Sequence, residues 1–416
     1  MQSQHPIAVI GAGVIGASLA YALARDGQRV LLIDRAAPGM AGASFGNAGH
    51  IAAELVEPLP SRALLLGFWR ELTTFGGPLE IPLRRIPALL PWSARFALAA
   101  FRRERNTRHL APIVRPSVEA LERLLTEIGR RDLLKRNGHY EVWLGHCSGL
   151  ALAQADSMRR LGIRTEPAPR ELLDAVRSAA SAQNAVGLWF PDCAHVVDPL
   201  EVVRAFALAA ESRGAAILRR EVKALRRSGD GLSVETDDGR IGVRAAVVCC
   251  GAWSASLLRP FGANVPLESA RGYHVEMPGL PALADAPILY SNERVLITPM
   301  TARLRATSFM EFREPDAPPD EHKPMRLRRV LAGLGYASGD ATTSWVGSRP
   351  VLPDYLPAMG RMPHVPGLYY SFGHQHIGLT LSAMAAGLMA ELVTGRGPSQ
   401  DLAPFSIDRF GRRATS

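Results

Sequence analysis

Cysteine is scarce in this chain of 416 residues: four in all, Cys147, Cys193, Cys249 and Cys250. Their number and spacing exclude a disulfide framework and match no zinc-binding pattern, so no metal site is expected. The adjacent Cys249 and Cys250 read as small core residues of an apolar run, and a reducing compartment follows. Long hydrophobic runs are missing as well. No stretch of about 18 apolar residues is free of charge, which excludes a membrane-spanning helix. No secretory signal precedes the first motif, and the expected location is cytoplasmic. The net charge of +9 points to an anionic partner or surface, but no nucleic-acid-binding motif accompanies it. With 47% hydrophobic and 21% charged residues, the composition is that of an ordinary globular protein long enough for two or more domains.

What is present begins at Ile7. Ile7-Ala8-Val9-Ile10 is an apolar run suited to a buried parallel strand. Gly11-Ala12-Gly13-Val14-Ile15-Gly16 follows, then an apolar helical stretch stopped by Gly27, then a second strand, Val30 to Ile33, ending in Asp34. In such a unit Gly11 makes the tight turn, Gly13 lets a pyrophosphate approach the backbone, and Gly16 allows close helix–strand packing. The helix start offers free N–H groups and a positive dipole end. Asp34, about 20 residues on, is placed for a ribose hydroxyl. The whole unit predicts a dinucleotide site without choosing between nicotinamide and flavin.

Further along, Ala43 to Gly49 is a small, polar loop that either passes the cofactor, with Ser44 and Asn47 bonding to it, or is ordinary surface. Residues 79 to 109 interleave Pro82, Pro87 and Pro91 with Trp92, Phe96 and Phe101 and with seven arginines. This mixture suits either a segment lying in a membrane interface or a solvated helical excursion, and its prolines and Arg95 forbid spanning. Asp198 and Pro199 are an N-cap and first residue of a helix. Val247 to Gly251, followed by Ala252-Trp253-Ser254, is a second strand-to-helix turn. Pro266 to Phe312 alternates as an antiparallel sheet does. Finally, Gly367 to Phe372 is a strand, Gly373 to Thr380 a turn, and Leu381 to Thr394 a helix.

Taken together, Gly11, Gly13, Gly16 and Asp34, Ser44 to Gly49, Val197-Asp198-Pro199, Val247 to Ser254, Gly347 to Pro350 and Gly373 to Thr380 resemble the flavin-dependent D-amino-acid oxidase and dehydrogenase superfamily. Ala43 to Gly49 and Arg271-Gly272-Tyr273 are most similar to the bacterial D-amino-acid dehydrogenases. Asp34 departs from the usual Glu, and Gln375-His376 is bulkier than usual and resembles the D-hydroxyproline type. The resemblance implies an α/β fold: a Rossmann-like FAD-binding domain (1–55, 190–262 and 346–416) and a largely antiparallel-sheet substrate domain (56–189 and 263–345). It implies FAD held by Gly11, Gly13, Val14, Ile15, Gly16, Asp34, Arg35, Ser44, Asn47, Gly49, Val222, Gly251, Trp253, Gly373, Gly378, Leu379 and Thr380.

It further implies that Arg349 clamps the substrate carboxylate, since a guanidinium holds a planar carboxylate bidentately; a structural arginine is the alternative. Tyr273 would add its hydroxyl to that carboxylate, and His376 rather than His374 would face the substrate. Arg305 and Glu311 read as a charged face of the sheet. The implied reaction is oxidation of a D-amino or D-imino acid by hydride transfer from Cα to flavin N5, with D-hydroxyproline, D-proline or broad D-amino acids as substrate. Electrons would pass to a quinone-type acceptor, with membrane-surface association as a further expectation. The rivals are an oxygen-using glycine- or sarcosine-type oxidase and a flavin subunit active only in a hetero-oligomer.

Overall fold

A computed structural model describes residues 5–73, 77–229, 231–336 and 342–411. The chain opens with β1 (Ile7–Ile10), wholly buried, then α1 (Val14–Arg25) and β2 (Val30–Asp34). It continues through β3 (His50–Ile51), α2 (Arg62–Glu71), α3 (Ile86–Ala100) and α4 (Arg103–Val114). Next come β4 (His139–Leu144), β5 (Ala185–Phe190), β6 (Ala194–Val196) and α5 (Pro199–Glu211). Asp198 caps α5 as expected, accepting from Leu200 N at 2.9 Å and Glu201 N at 3.3 Å. Then follow β7 (Ala216–Arg219), β8 (Ala245–Val248), β9 (Glu268–Pro278), β10 (Val295–Met300), β11 (Arg303–Phe312) and β12 (Thr343–Val351). β13 (Ala358–Arg361), β14 (Leu368–Phe372) and α6 (Gly378–Val393) complete the chain's main elements.

Two large sheets divide these strands. The first has the order β7-β2-β1-β8-β14-β13, parallel except for β13. Both of its faces are covered, which is why β1 and β8 are apolar throughout rather than alternating. On one face α1 packs against α5 and α6, and Ser18 of α1 donates to the Ser382 carbonyl of α6 at 3.1 Å. The second sheet has nine strands, with β12-β9-β11-β10 antiparallel in sequence and β4 and β5 beyond them. The α/β architecture with a separate, largely antiparallel sheet is as expected.

Several local expectations need correction. α3 runs through Pro91, one of the prolines expected to punctuate this segment; the proline forfeits a backbone hydrogen bond that neighbouring packing outweighs. α6 begins at Gly378, three residues before the expected start. β12 pairs with β9 along its length, so Arg349 stands on the second sheet, not within the nucleotide-binding half. Arg305 and Glu311 are buried rather than a charged face. Glu311 accepts from Arg271 Nη2 at 2.6 Å and Nε at 2.8 Å, and Arg305 donates to Glu276 at 2.6 Å. Among the described residues no helix is long and apolar enough to cross a membrane.

Candidate active site

The first strand-to-helix turn is built as its glycines require. Gly11 has φ +101°, and a Cβ there would lie 2.5 Å from the Cys249 carbonyl oxygen, so only glycine fits between β1 and β8. A Cβ at Gly16 would meet the Gly11 oxygen at 1.8 Å, so this residue lets α1 sit on the turn. The Asp34 carboxylate accepts from Ala12 N at 2.6 Å and Ala36 N at 3.0 Å. Ser44 Oγ accepts from Val14 N at 3.0 Å. The loop after β2 is therefore tied to the start of α1, beside N–H groups that the helix itself leaves unpaired.

From this turn runs a cavity of about 930 Å³. Gly11, Gly13, Val14, Ile15, Asp34, Arg35, Ser44, Asn47, Val222, Gly251 and Trp253 line one part of it, and Gly378 and Leu379 of α6 another. Arg35 stacks on Trp253, its Cζ 4.6 Å from the ring centroid, and both bond to Asp316, Trp253 at 2.8 Å and Arg35 at 3.3 Å. The long cavity, the amide-rich turn, the carboxylate and the start of α6 fit a flavin dinucleotide: N–H groups for phosphate, Asp34 for ribose, and a helix N-terminus for an electron-rich ring edge.

Four expected cofactor ligands do not line this cavity. Gly16 acts through packing, and Gly49 instead accepts from Val196 N at 2.8 Å to seat the loop on β6. Gly373 turns the chain against Leu352. Thr380 Oγ1 accepts from Ala52 N at 3.0 Å and so joins α6 to the segment after β3. Their positions follow from loop packing that motif spacing does not encode.

At the far end the cavity reaches the second sheet and Arg349. This guanidinium is half-buried in the cavity wall, and Nη1 donates to the Phe309 carbonyl at 2.9 Å. Burial lowers its pKa, partly offset by Tyr355, yet a guanidinium stays charged at neutral pH. Among the described residues no carboxylate pairs with it. Two local features make its berth. A Cβ at Gly272 would lie 1.9 Å from Nη2, so the guanidinium lies where any other side chain would begin. Opposite Gly272, β11 carries a bulge: Arg271 faces Glu311 but Tyr273 faces Ser308. Phe309, in the bulge, takes φ +68°, which turns its carbonyl toward Arg349.

His376 opens onto the same space and is exposed within it; partial desolvation by the cavity wall, then the Arg349 guanidinium, lower its pKa. His374 is packed below the surface, its pKa down to about 3 by burial. Gln375 is structural: its amide accepts from Leu352 N at 3.1 Å and donates to the Gly373 carbonyl at 2.8 Å. The Tyr273 expectation is corrected. Its ring borders the cavity, but its hydroxyl donates to Glu311 at 2.8 Å and accepts from Asp320 N at 3.0 Å. It thus completes the buried Arg271–Glu311 pair and is not free for a carboxylate.

Sequence reasoning missed Trp345, His50 and Arg294, which also line the cavity. Trp345 fills the space left by Gly46 and Gly347, where a Cβ would approach its ring to 2.0 and 1.9 Å, and His274 stacks on it at 5.2 Å. The small residues flanking this tryptophan in SFGNAG and WVG were the available signal.

Residues 6–392 match the DAO family, described as FAD dependent oxidoreductase. The chain belongs to this family, and its cofactor is FAD. It is 31% identical over 428 residues to the D-amino-acid oxidase of Bradyrhizobium diazoefficiens, covering 99% of this chain and 100% of that one. It is 30% identical over 421 residues to a D-amino acid dehydrogenase of Paramagnetospirillum magneticum, covering 97% and 98%. Among solved structures, glycine oxidase from Geobacillus kaustophilus superposes with a TM-score of 0.76 at 23% identity, over 99% of both chains. L-proline dehydrogenase from P. horikoshii has the same fold, with a TM-score of 0.74 at 17% identity, over 99% of this chain and 98% of that one.

Proposed function

We propose that this enzyme oxidises a D-amino or D-imino acid, with D-hydroxyproline, D-proline or a broad range of D-amino acids as substrate. The observation that carries this reading is Arg349, a half-buried guanidinium that pairs with no carboxylate among the described residues, at the substrate end of the flavin cavity. A partly desolvated cation in such a place calls for an anionic ligand, and the substrate carboxylate supplies it. Clamped at that end, the substrate has its rotational freedom removed before reaction. His376 is neutral at pH 7 and offers a ring nitrogen that accepts a hydrogen bond from the substrate amine. The amine, once neutral, needs no further base, and the imine product is hydrolysed by water. FAD supplies the two-electron acceptor for the Cα hydride. The relatives named D-amino-acid oxidase and D-amino acid dehydrogenase support the substrate class. The test is dye-coupled reduction by the holoenzyme across D- and L-amino acids, glycine, sarcosine and the proline isomers. Turnover confined to D-amino or D-imino acids is expected; silence on all of them with FAD bound refutes the reading.

For the electron acceptor we favour a membrane quinone over oxygen. α2 has no buried residue, and Leu66, Trp69, Leu83, Leu90, Leu98 and Phe101 stand exposed along α2 and α3 and between them. Arginines lie on the aromatics, Arg62 at 5.0 Å from Phe101 and Arg70 at 5.0 Å from Trp69. Apolar side chains fringed by guanidinium groups suit an interface of acyl chains and anionic headgroups. Stoichiometric peroxide release during turnover would instead establish the oxidase.

A further inference from the structure

Four side chains with metal-binding atoms converge from three parts of the fold. His50 lies on β3 and Glu54 just after it, His139 opens β4, and Cys193 immediately precedes β6. One donor atom from each lies within 4.8 Å of all the others. Cys193 Sγ is 2.9 Å from Glu54 Oε2, while His50 Nε2 and His139 Nε2 are 3.8 and 4.0 Å from Glu54 Oε1. Glu54, His139 and Cys193 are buried, and the His50 side chain is only 10% exposed.

We propose that His50, Glu54, His139 and Cys193 bind one divalent d-block cation of the zinc type. Three observations support this. First, the donor set is right: imidazole, thiolate and carboxylate together select such ions rather than calcium or magnesium. Second, the spacing is close to what the ion needs. Zinc bond lengths set tetrahedral edges of roughly 3.3–3.6 Å between ligand atoms, so each contact here changes by at most about 1.5 Å on binding. Third, His50 Nε2, which faces Glu54 Oε1 at 3.8 Å, is buried with no hydrogen-bond partner. Charge balances as well. A thiolate and a carboxylate neutralise a dication while both histidines stay neutral, so the occupied site buries no net charge. The Cys193 thiol proton leaves to solvent on binding.

Two ring contacts already hold the ligands in place. His139 stacks on Phe190 of β5 at 4.4 Å and meets the His50 ring at 4.5 Å. With four protein ligands the coordination is closed, leaving no position for water or substrate. The ion is therefore structural. It ties the segment that begins at β3 to β4 within the second sheet, where His50, Glu54 and His139 form part of the cavity wall.

The test is metal content and spectroscopy of the FAD-loaded enzyme, independent of turnover. After chelation, dialysis and reloading with zinc, elemental analysis should find one equivalent per chain. Cobalt(II) loading should give the intense ligand-field bands of tetrahedral coordination, red of the flavin absorption, and a thiolate charge-transfer band in the ultraviolet. Cys193→Ser should abolish the charge-transfer band and weaken zinc binding more than about 100-fold. His50→Gln, on a different element, should weaken it comparably and serves if the cysteine variant fails to fold. Zinc retained at less than about a tenth of an equivalent, octahedral cobalt spectra, or zinc binding unaltered in a folded variant would each overturn the assignment.

Discussion

Substituting Gly272 by alanine tests how the substrate pocket is built. The added methyl carbon would lie 1.9 Å from Arg349 Nη2, 2.1 Å from Cζ and 2.3 Å from Nη1. Ordinary carbon contacts are about 3.5 Å or more, so the guanidinium must retreat by roughly 1.5 Å. Its surroundings restrict it, because it is half-buried and bonded to the Phe309 carbonyl. A misplacement of about 1 Å in a positioning group costs on the order of 100-fold in rate. The expected loss in kcat/KM is therefore at least about 100-fold, or ~2.7 kcal/mol of transition-state stabilisation. Flavin content should stay at one per chain, since residue 272 is on the second sheet, remote from the nucleotide turn. Arg349→Ala alone should cost more, because a clamped carboxylate without its partner loses about 2–5 kcal/mol. Combining the two should add almost nothing to Arg349→Ala, as they act on one interaction. Steady-state kinetics with the preferred substrate measures all three variants. If Gly272→Ala stays within threefold of the parent, or if the losses simply add, the glycine is not the seat of the arginine.

Other expectations concern stability, pH, the cofactor and the surface. Arg271→Ala would leave the buried Glu311 with only Arg313, 3.4 Å away, and the Tyr273 hydroxyl as partners, and should cost about 3 kcal/mol, read as a lowered denaturation midpoint in urea; an unchanged midpoint would show that the pair is dispensable. Burial holds His374 at about 3 and His274 at about 4. Between these values and pH 6.5 the unfolded chain binds more protons than the folded one, so stability is full above pH 6.5 and falls as pH drops toward 4. A Tm that stays flat over that range would contradict the burial of these rings. Trp253→Ala removes the partner of Arg35 and should weaken FAD binding about tenfold by equilibrium dialysis. Leu66→Ser with Trp69→Ser should reduce co-sedimentation with anionic phospholipid vesicles while dye-coupled turnover is unchanged; undiminished sedimentation would remove α2 from the membrane contact.

Local rules made much of this protein legible without coordinates. The apolar run of β1, Gly11 and Asp34 specify a strand, a turn and a carboxylate within some thirty residues, because each depends on backbone preference and short-range spacing. Asp198 and Pro199 mark the start of α5 for the same reason, whereas Arg349 is singled out only by the family resemblance. Other features arise only when distant segments meet. The bulge at Phe309, the gap at Gly272 and the side chain of Arg349 come from three strands, and only their pairing turns an arginine into a pocket. Tyr273 looked like a ligand until β11 placed Glu311 beside its hydroxyl. Residues 50, 54, 139 and 193 follow no spacing a motif would flag, yet β3, β4 and β6 bring their donor atoms within 4.8 Å. Secondary structure is chosen by neighbours along the chain, whereas burial, charge pairing and the free directions of side chains are settled by neighbours across it.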